Sequence, residues 1–287
     1  MSYLVIDLSA SKASMLQCLG ILASAPVLPA VMMCHALDKR LQGGDAQPLL
    51  GIRGVGLIHR HCNPWIEYLE DKGYLKPLIV HRRANCIFDK ADIVKDGLGP
   101  QQNSMQPMAL ADVDWTLLLD CEKTIPDSLI RRVEDVLLRM RLAGGSIRSA
   151  RVRCYSEWDK ALARALRGGY WVEDITHAIL SDSADANDDP ILRILGATRD
   201  PKFGWVVPVN LGYALLEAPK PDRDGARDAW PHAFAEHMVG AVSLVPSSMA
   251  KGRHLSPADL WRHGWDGDQF LVTNRPGIVL SEGMHLN

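Results

Sequence analysis

The chain has 287 residues, 47% of them hydrophobic and 23% charged, which is enough for one large domain or two ordinary ones around a real core. Its formal net charge of −2 excludes a whole-protein polycation, so any affinity for nucleic acid has to come from local clustering. Six cysteines (Cys18, Cys34, Cys62, Cys86, Cys121 and Cys154) form no CxxC pair, and this predicts reduced, mostly buried thiols in a cytoplasmic protein rather than a disulfide framework.

No basic segment followed by an apolar run and cleavage site opens the chain. The apolar stretch Met15 to Met33 is broken by Gln17, Pro26 and Pro29, so neither a signal peptide nor a membrane span is expected. Tyr3 to Leu8 has the length and character of a strand. Lys12 to Ala25 is irregular and reads as mixed helix and loop. Pro29 suits the first turn of a helix running to about Leu41, where Val31, Cys34, Leu37 and Leu41 share one face. Ile52 to Cys62 is predicted as a strand, with Val55, Leu57, His59 and His61 on one side at period two. Leu75 to His81 is a further strand leading into Arg82 and Arg83. Residues 97–106 read as a loop.

Val113 to Cys121 is predicted as the central strand. Pro126 opens a helix with Leu129, Val133, Val136, Leu137 and Met140 on its inner stripe, closing on Gly144 and Gly145 before a basic strand, Ile147 to Cys154. The order is strand, helix, strand, strand, helix, strand. That predicts an α+β fold with a ferredoxin-like βαββαβ core over residues 1–155. Residues 156–287 would then form a helical insertion and a C-terminal β-rich region packed on that core. Its elements are a helix at Glu157–Leu166, a long strand from Phe203 to Ala218, and strands at Ala233–Val245 and Gln269–Thr273. Pro208 suits an edge or a bulge. Ser181–Asp189 and Pro219–Asp228 are polar loops.

From Arg131 to Arg167 there are ten Lys and Arg against four Asp and Glu, a local concentration able to neutralise phosphates and release counterions. On a regular strand, Arg148 would face away from Arg151 and Arg153, so the three could not serve one groove. Gly144 and Gly145 admit two readings: a helix C-cap, or a turn that lets a phosphate approach backbone N–H groups. Arg141 is also placed to bond the last carbonyls of the helix. His59, His61 and, from a neighbouring strand, His81 could form a metal or acid–base cluster, or serve as ordinary structural and surface residues. No Walker A, G-x-S-x-G or HExxH motif is present.

Several stretches, in order, resemble one family. They are Pro29 to Gln42 with its His-Ala-Leu-x-x-x-Leu ending, Gly54-Val55-Gly56-Leu57-Ile58-His59, Met140 to Ile147, Gly204 to Tyr213, and Ala226-Arg227-Asp228. The family is the Csy-type subunit of type I-F CRISPR–Cas surveillance (Cascade) complexes, of the RAMP superfamily. The resemblance implies a non-catalytic, antiviral-defence protein with no cofactor, metal or catalytic residue, which caps the 5′ handle of the guide RNA (crRNA). It implies as partners the large subunit and the backbone subunits of the complex, close to where target double-stranded DNA is inspected, and no membrane. The RNA contacts expected are Arg139, Arg141, Gly144, Gly145, Ser146 and Arg148, with Arg82, Arg83, Arg151 and Arg153 as secondary candidates. Two alternatives stay open: a RAMP-type endoribonuclease that processes guide RNA through His59 or His61, and an assembly subunit without RNA contact.

Overall fold

The structure is a computed structural model that describes residues 1–18, 21–42, 48–71, 73–79, 81–84, 93–94, 102–103, 105–182, 189–221 and 231–281. It is mixed α+β, with six α-helices among the described residues and one large antiparallel sheet. The first half contributes β1 (Ser2–Ser14), α1 (Val27–Gln42), β2 (Ile52–Pro64), β3 (Leu110–Cys121), α2 (Asp127–Leu137), β4 (Arg141–Leu142) and β5 (Gly145–Tyr155). The second half contributes α3 (Trp158–Ala165), β6 (Tyr170–Asp174), α4 (Thr176–Ser181), α5 (Pro190–Ala197), β7 (Val206–Leu215), β8 (Ala235–Pro246), α6 (Ser247–Ala250), β9 (Arg262–Asp266) and β10 (Gln269–Thr273). The ten strands lie in the order β4-β5-β1-β3-β2-β6-β8-β7-β10-β9, each pair antiparallel. The halves join where Tyr170 and Trp171 of β6 pair with His59 and Ile58 of β2.

Strand alternation sorts the side chains of β1 and β3 onto two faces. Leu4, Ile6, Leu8 and Ala10 of β1, with Val113, Trp115, Leu117 and Leu119 of β3, form the main core beneath α1 and α2. The inner stripe of α1 is as expected: Val31, Cys34, Leu37 and Leu41 are all at most 1% exposed. Pro29 stands in its first turn, where a missing N–H leaves nothing unpaired. Asp38 on the same helix accepts from the amides of Leu50, Gly51 and Ile52, at 3.0, 3.1 and 3.4 Å, and so fixes the entry into β2. On the opposite face, Tyr3, Val5, Ile58 and Leu118 pack under Ala161, Ala165 and Leu166 of the α3 segment. A third cluster joins Ile179 of α4 and Ile194 and Ala197 of α5 to Val206 and Ala241 of β7 and β8.

Four expectations are corrected. The described part of Lys12 to Ala25 holds no helix: β1 runs on to Ser14, and Leu16–Cys18 pairs with Ile21–Leu22 in a small ribbon, while residues 19 and 20 lie outside the described residues. The Leu75–His81 run is split, with Tyr74–Leu78 in a hairpin with Glu67–Asp71, and His81–Ala84 paired to Met105–Met108, both outside the large sheet. In the expected 97–106 loop, Gln102–Asn103 is a strand against Ile93–Val94 and Met105–Gln106 belongs to a strand; 97–101 and Ser104 lie outside the described residues. The polar loops keep only their ends in view, since 183–188 and 222–228 also lie outside them; Ser181 closes α4. Finally, α2 ends at Leu137 rather than running on to Met140.

The sequence pattern also missed β6, α4, α5 and β9, which are short and lack a full period of apolar residues. Pro208 sits where β7 has a neighbour on one side only, because pairing with β10 is confined to Gly212–Ala214. A bulge follows between Asn210 and Gly212. Cys18, Cys34 and Cys121 are buried free thiols, and Cys62 and Cys154 are half-buried ones; Cys86 lies outside the described residues. No helix among the described residues is long and apolar enough to cross a membrane.

Candidate nucleic-acid interface

The glycine turn is a β-hairpin. Arg141 pairs with Ser146 and Leu142 with Gly145, leaving a two-residue loop of Ala143 and Gly144 with φ of 48° and 80°. Two successive positive φ values are what a type I′ hairpin needs. The two glycines therefore do not cap α2, whose C-cap is Leu138. The two glycines differ sharply. Around Gly144 a Cβ would meet nothing within 4 Å, whereas at Gly145 it would stand 2.5 Å from the Ala13 amide nitrogen and 2.6 Å from the Ser11 carbonyl oxygen. Gly145 is buried, and its missing side chain lets β1 approach. Arg141 does not bond the carbonyls at the end of α2 but that of Gly144, at 3.4 Å.

In the first half of the sheet, the face opposite α1 and α2 is apolar where α3 and the Leu260 segment cover it. Beyond α3 it becomes polar and charged, and three strand irregularities shape it. Pairing of β1 with β5 steps from Ser9–Ser149 to Ala10–Ile147, so Arg148 is one residue too many on its strand. Pairing of β3 with β2 steps from Asp114–His61 to Trp115–His59, which makes Arg60 extra. Between Ala10 and Ala13, β1 carries two residues, Ser11 and Lys12, against Asp112 alone, with Lys12 at φ 61°. Bulges of this kind re-aim side chains. Each of the three contains a cation.

The bulge at Arg148 overturns the expectation that it faces away from Arg151 and Arg153. Ile147 and Val152 are both buried against the core although their numbering differs in parity, because the extra residue resets the alternation between them. Arg148 therefore joins Arg151 and Arg153 on the open face, donating to the Ser11 hydroxyl and lying 3.5 Å from Asp112. Residues paired across an antiparallel ladder share a face. Arg141 and Ser146 accordingly stand in the row of Ser11 and Asp112. Arg139 is elsewhere, in the turn after α2, its carbonyl accepting from Arg40 at 3.5 Å. Arg82 and Arg83 pair with Pro107 and Gln106 in their separate ribbon.

At the centre of this face lies Asp7, which sequence reasoning passed over. It accepts from the Thr116 hydroxyl at 2.7 Å, from Arg153 at 2.9 Å and from Arg164 of α3 at 2.5 Å, with Arg60 at 3.9 Å. Partial burial on its own raises the Asp7 carboxyl; the Thr116 hydroxyl and the guanidinium groups of Arg153, Arg164 and Arg60 outweigh it and hold the group below the ordinary carboxylate range. Burial lowers Arg60 from its usual value, with Asp7 opposing and Arg164 adding to the shift. A cavity of about 530 Å³ opens above these residues, with Ser9, Ser149 and Arg151 on its rim. The signal for Asp7 was an acid on the non-core side of an apolar strand; those for Arg60 and Arg164 were their charges alone.

The histidine cluster is not formed. The bulge at Arg60 puts His59 and His61 on opposite faces: His59 is 7% exposed and packs edge-on against Trp115 at 5.4 Å, while His61 is exposed opposite Asp114. His81 lies in the outlying ribbon. No group of three or more His, Cys, Asp or Glu able to hold a metal occurs among the described residues.

Burial holds the His59 pKa below its ordinary 6.5. The unfolded chain thus takes up this proton first, so stability is full above about pH 6.5 and declines as pH falls towards the depressed folded value. Urea midpoints measured at pH 7 and pH 5 should fall further in wild type than in His59→Phe. An equal fall in both would refute this linkage. No protein-family model matches the chain, and no curated protein matches it either.

Proposed function

We propose that this protein binds RNA through the open face of the first half of its large sheet, as the guide-RNA 5′-handle subunit of a type I-F CRISPR effector, without catalysing a reaction. The observation that carries the reading is the convergence of Arg141, Arg148, Arg151 and Arg153 on one face through the Arg148 bulge. Clustered guanidinium groups meet phosphates bidentately, and counterion release makes such binding strong without sequence reading. Two features support it. Numbered within the first half, the principal strands β1, β2, β3 and β5 lie in the order fourth, first, third, second, with α1 and α2 behind them, the arrangement of a ferredoxin-like core. The resemblance to the RAMP superfamily spans both halves of the chain. The partners that follow are the large subunit and the first backbone subunit, near target double-stranded DNA, in the cytoplasm.

The test is co-expression with a guide array and the neighbouring subunits, followed by ultraviolet crosslinking. RNA crosslinked to this chain within β5 or the Ala143–Gly144 turn supports the reading. A complex that assembles with guide RNA but gives no crosslink to this chain favours the assembly role. Cleavage of repeat RNA by the isolated protein, abolished in His61→Ala, would favour the nuclease.

A further inference from the structure

The cavity above Asp7 has more cations than its own chain offsets. Arg60, Arg151, Arg153 and Arg164 stand at its wall against Asp7 and Asp114. Asp114 accepts from the Ser9 hydroxyl at 2.5 Å, while three of the guanidinium groups gather on Asp7. Two of these, the Arg164 and Arg60 side chains, are only 16% and 24% exposed, and water screens their mutual repulsion poorly. Arg151 is exposed and has no acceptor among the described residues. The one aromatic residue at the wall, Trp115, is 1% exposed and turned into the core against His59, so no ring is offered to a base. The wall suits an anion with several acceptor oxygens, and does not suit a nucleobase.

We infer that this cavity is a phosphate subsite, in which one phosphate group takes its hydrogen bonds from Arg151, Arg153 and Arg164 while Asp7 holds the latter two in place. Asp7 acts here as a positioning residue. A tetrahedral phosphate brings acceptors on several sides at once, whereas the planar carboxylate of Asp7 is already engaged by Thr116, Arg153 and Arg164. The phosphate could belong to the backbone of an RNA strand or to a monoester such as a free nucleotide or a strand terminus. The assignment rests on the RNA-binding reading only for the first of these sources.

The test uses the full chain and three probes: inorganic phosphate, uridine 5′-monophosphate and a single-stranded RNA. Thermal shift and calorimetry are measured for wild type, Arg151→Gln and Arg164→Gln. Phosphate should raise the melting temperature of wild type, and each variant should bind it about tenfold more weakly. The Arg151 side chain has no acceptor among the described residues, so Arg151→Gln keeps the test intact where Arg164→Gln does not fold. If the phosphate is a backbone one, Arg151→Gln also lowers the slope of log K against log salt for RNA by about 0.7. If it is a monoester, uridine 5′-monophosphate displaces phosphate and the RNA slope is unchanged. Equal shifts by phosphate in wild type and Arg151→Gln, or equal stabilisation of wild type by succinate and phosphate, would overturn the subsite. RNA bound without any phosphate response overturns the subsite and leaves the RNA reading standing. A phosphate response without RNA binding does the reverse.

Discussion

Gly145→Ala should destabilise the fold by about 2–4 kcal/mol, while its neighbour Gly144→Ala should cost only about 1 kcal/mol. The contrast comes from their surroundings. A methyl group on Gly145 would press on the backbone of Ser11 and Ala13 at 2.6 and 2.5 Å, and a strand in the middle of a sheet cannot step aside as a flexible side chain can. At Gly144 the space is open and only the positive φ of 80° penalises a Cβ. Urea unfolding of the two variants measures the difference directly. If Gly145 instead served to admit a phosphate, Gly145→Ala would keep its stability and lose RNA affinity, and that result would refute the packing account.

The second large effect concerns binding. Arg141→Glu combined with Arg148→Glu should weaken affinity for handle RNA on the order of a hundredfold at about 0.1 M salt, and lower the salt slope by about 1.4. Both side chains are exposed, and their contacts within the chain are slight: the Gly144 carbonyl for Arg141, Ser11 and the rim carboxylate Asp112 for Arg148. The double variant should therefore fold, and circular dichroism with an unchanged melting temperature would establish that. Affinity that stays level with wild type across a salt titration would remove these two arginines from the interface.

Periodicity made much of this molecule legible. The apolar stripe of α1, the alternation of β1 and β3 and the inner face of α2 are consequences of local spacing. Each can be read from ten or fifteen residues at a time. The site was harder to read, for a reason visible at Arg148 and Arg60. A bulge is a property of two strands and their register, and the residues that set it, Ser9 with Ser149 or Asp114 with His61, are far apart in the chain. Counting by twos along β5 put Arg148 on the wrong face, and the same count along β2 put His59 and His61 together. The turn at Ala143 and Gly144 was misread because Arg139 to Leu142 continues the spacing of the preceding helix. In addition, an Ala-Gly pair is a weaker hairpin signal than Asn-Gly. Asp7 could not have been weighted from sequence, since its importance lies in guanidinium groups contributed by β2, β5 and α3.

The outer side of β5 has one further consequence, for solubility. Only Gly145 and Ser146 are paired on that side, to the two residues of β4; from Ile147 to Tyr155 no strand lies beyond it among the described residues. Such a free edge is a template on which another copy could add its own strand. Here the extra residue at Arg148 breaks the regular ladder, and three arginines along the strand repel an approaching copy. The Val152 amide donates to the Glu134 carboxylate of α2 at 2.7 Å and is not left for a neighbour. The bulge and the arginines that make the open face basic thus also disfavour the pairing of one copy of the protein with the next along this edge.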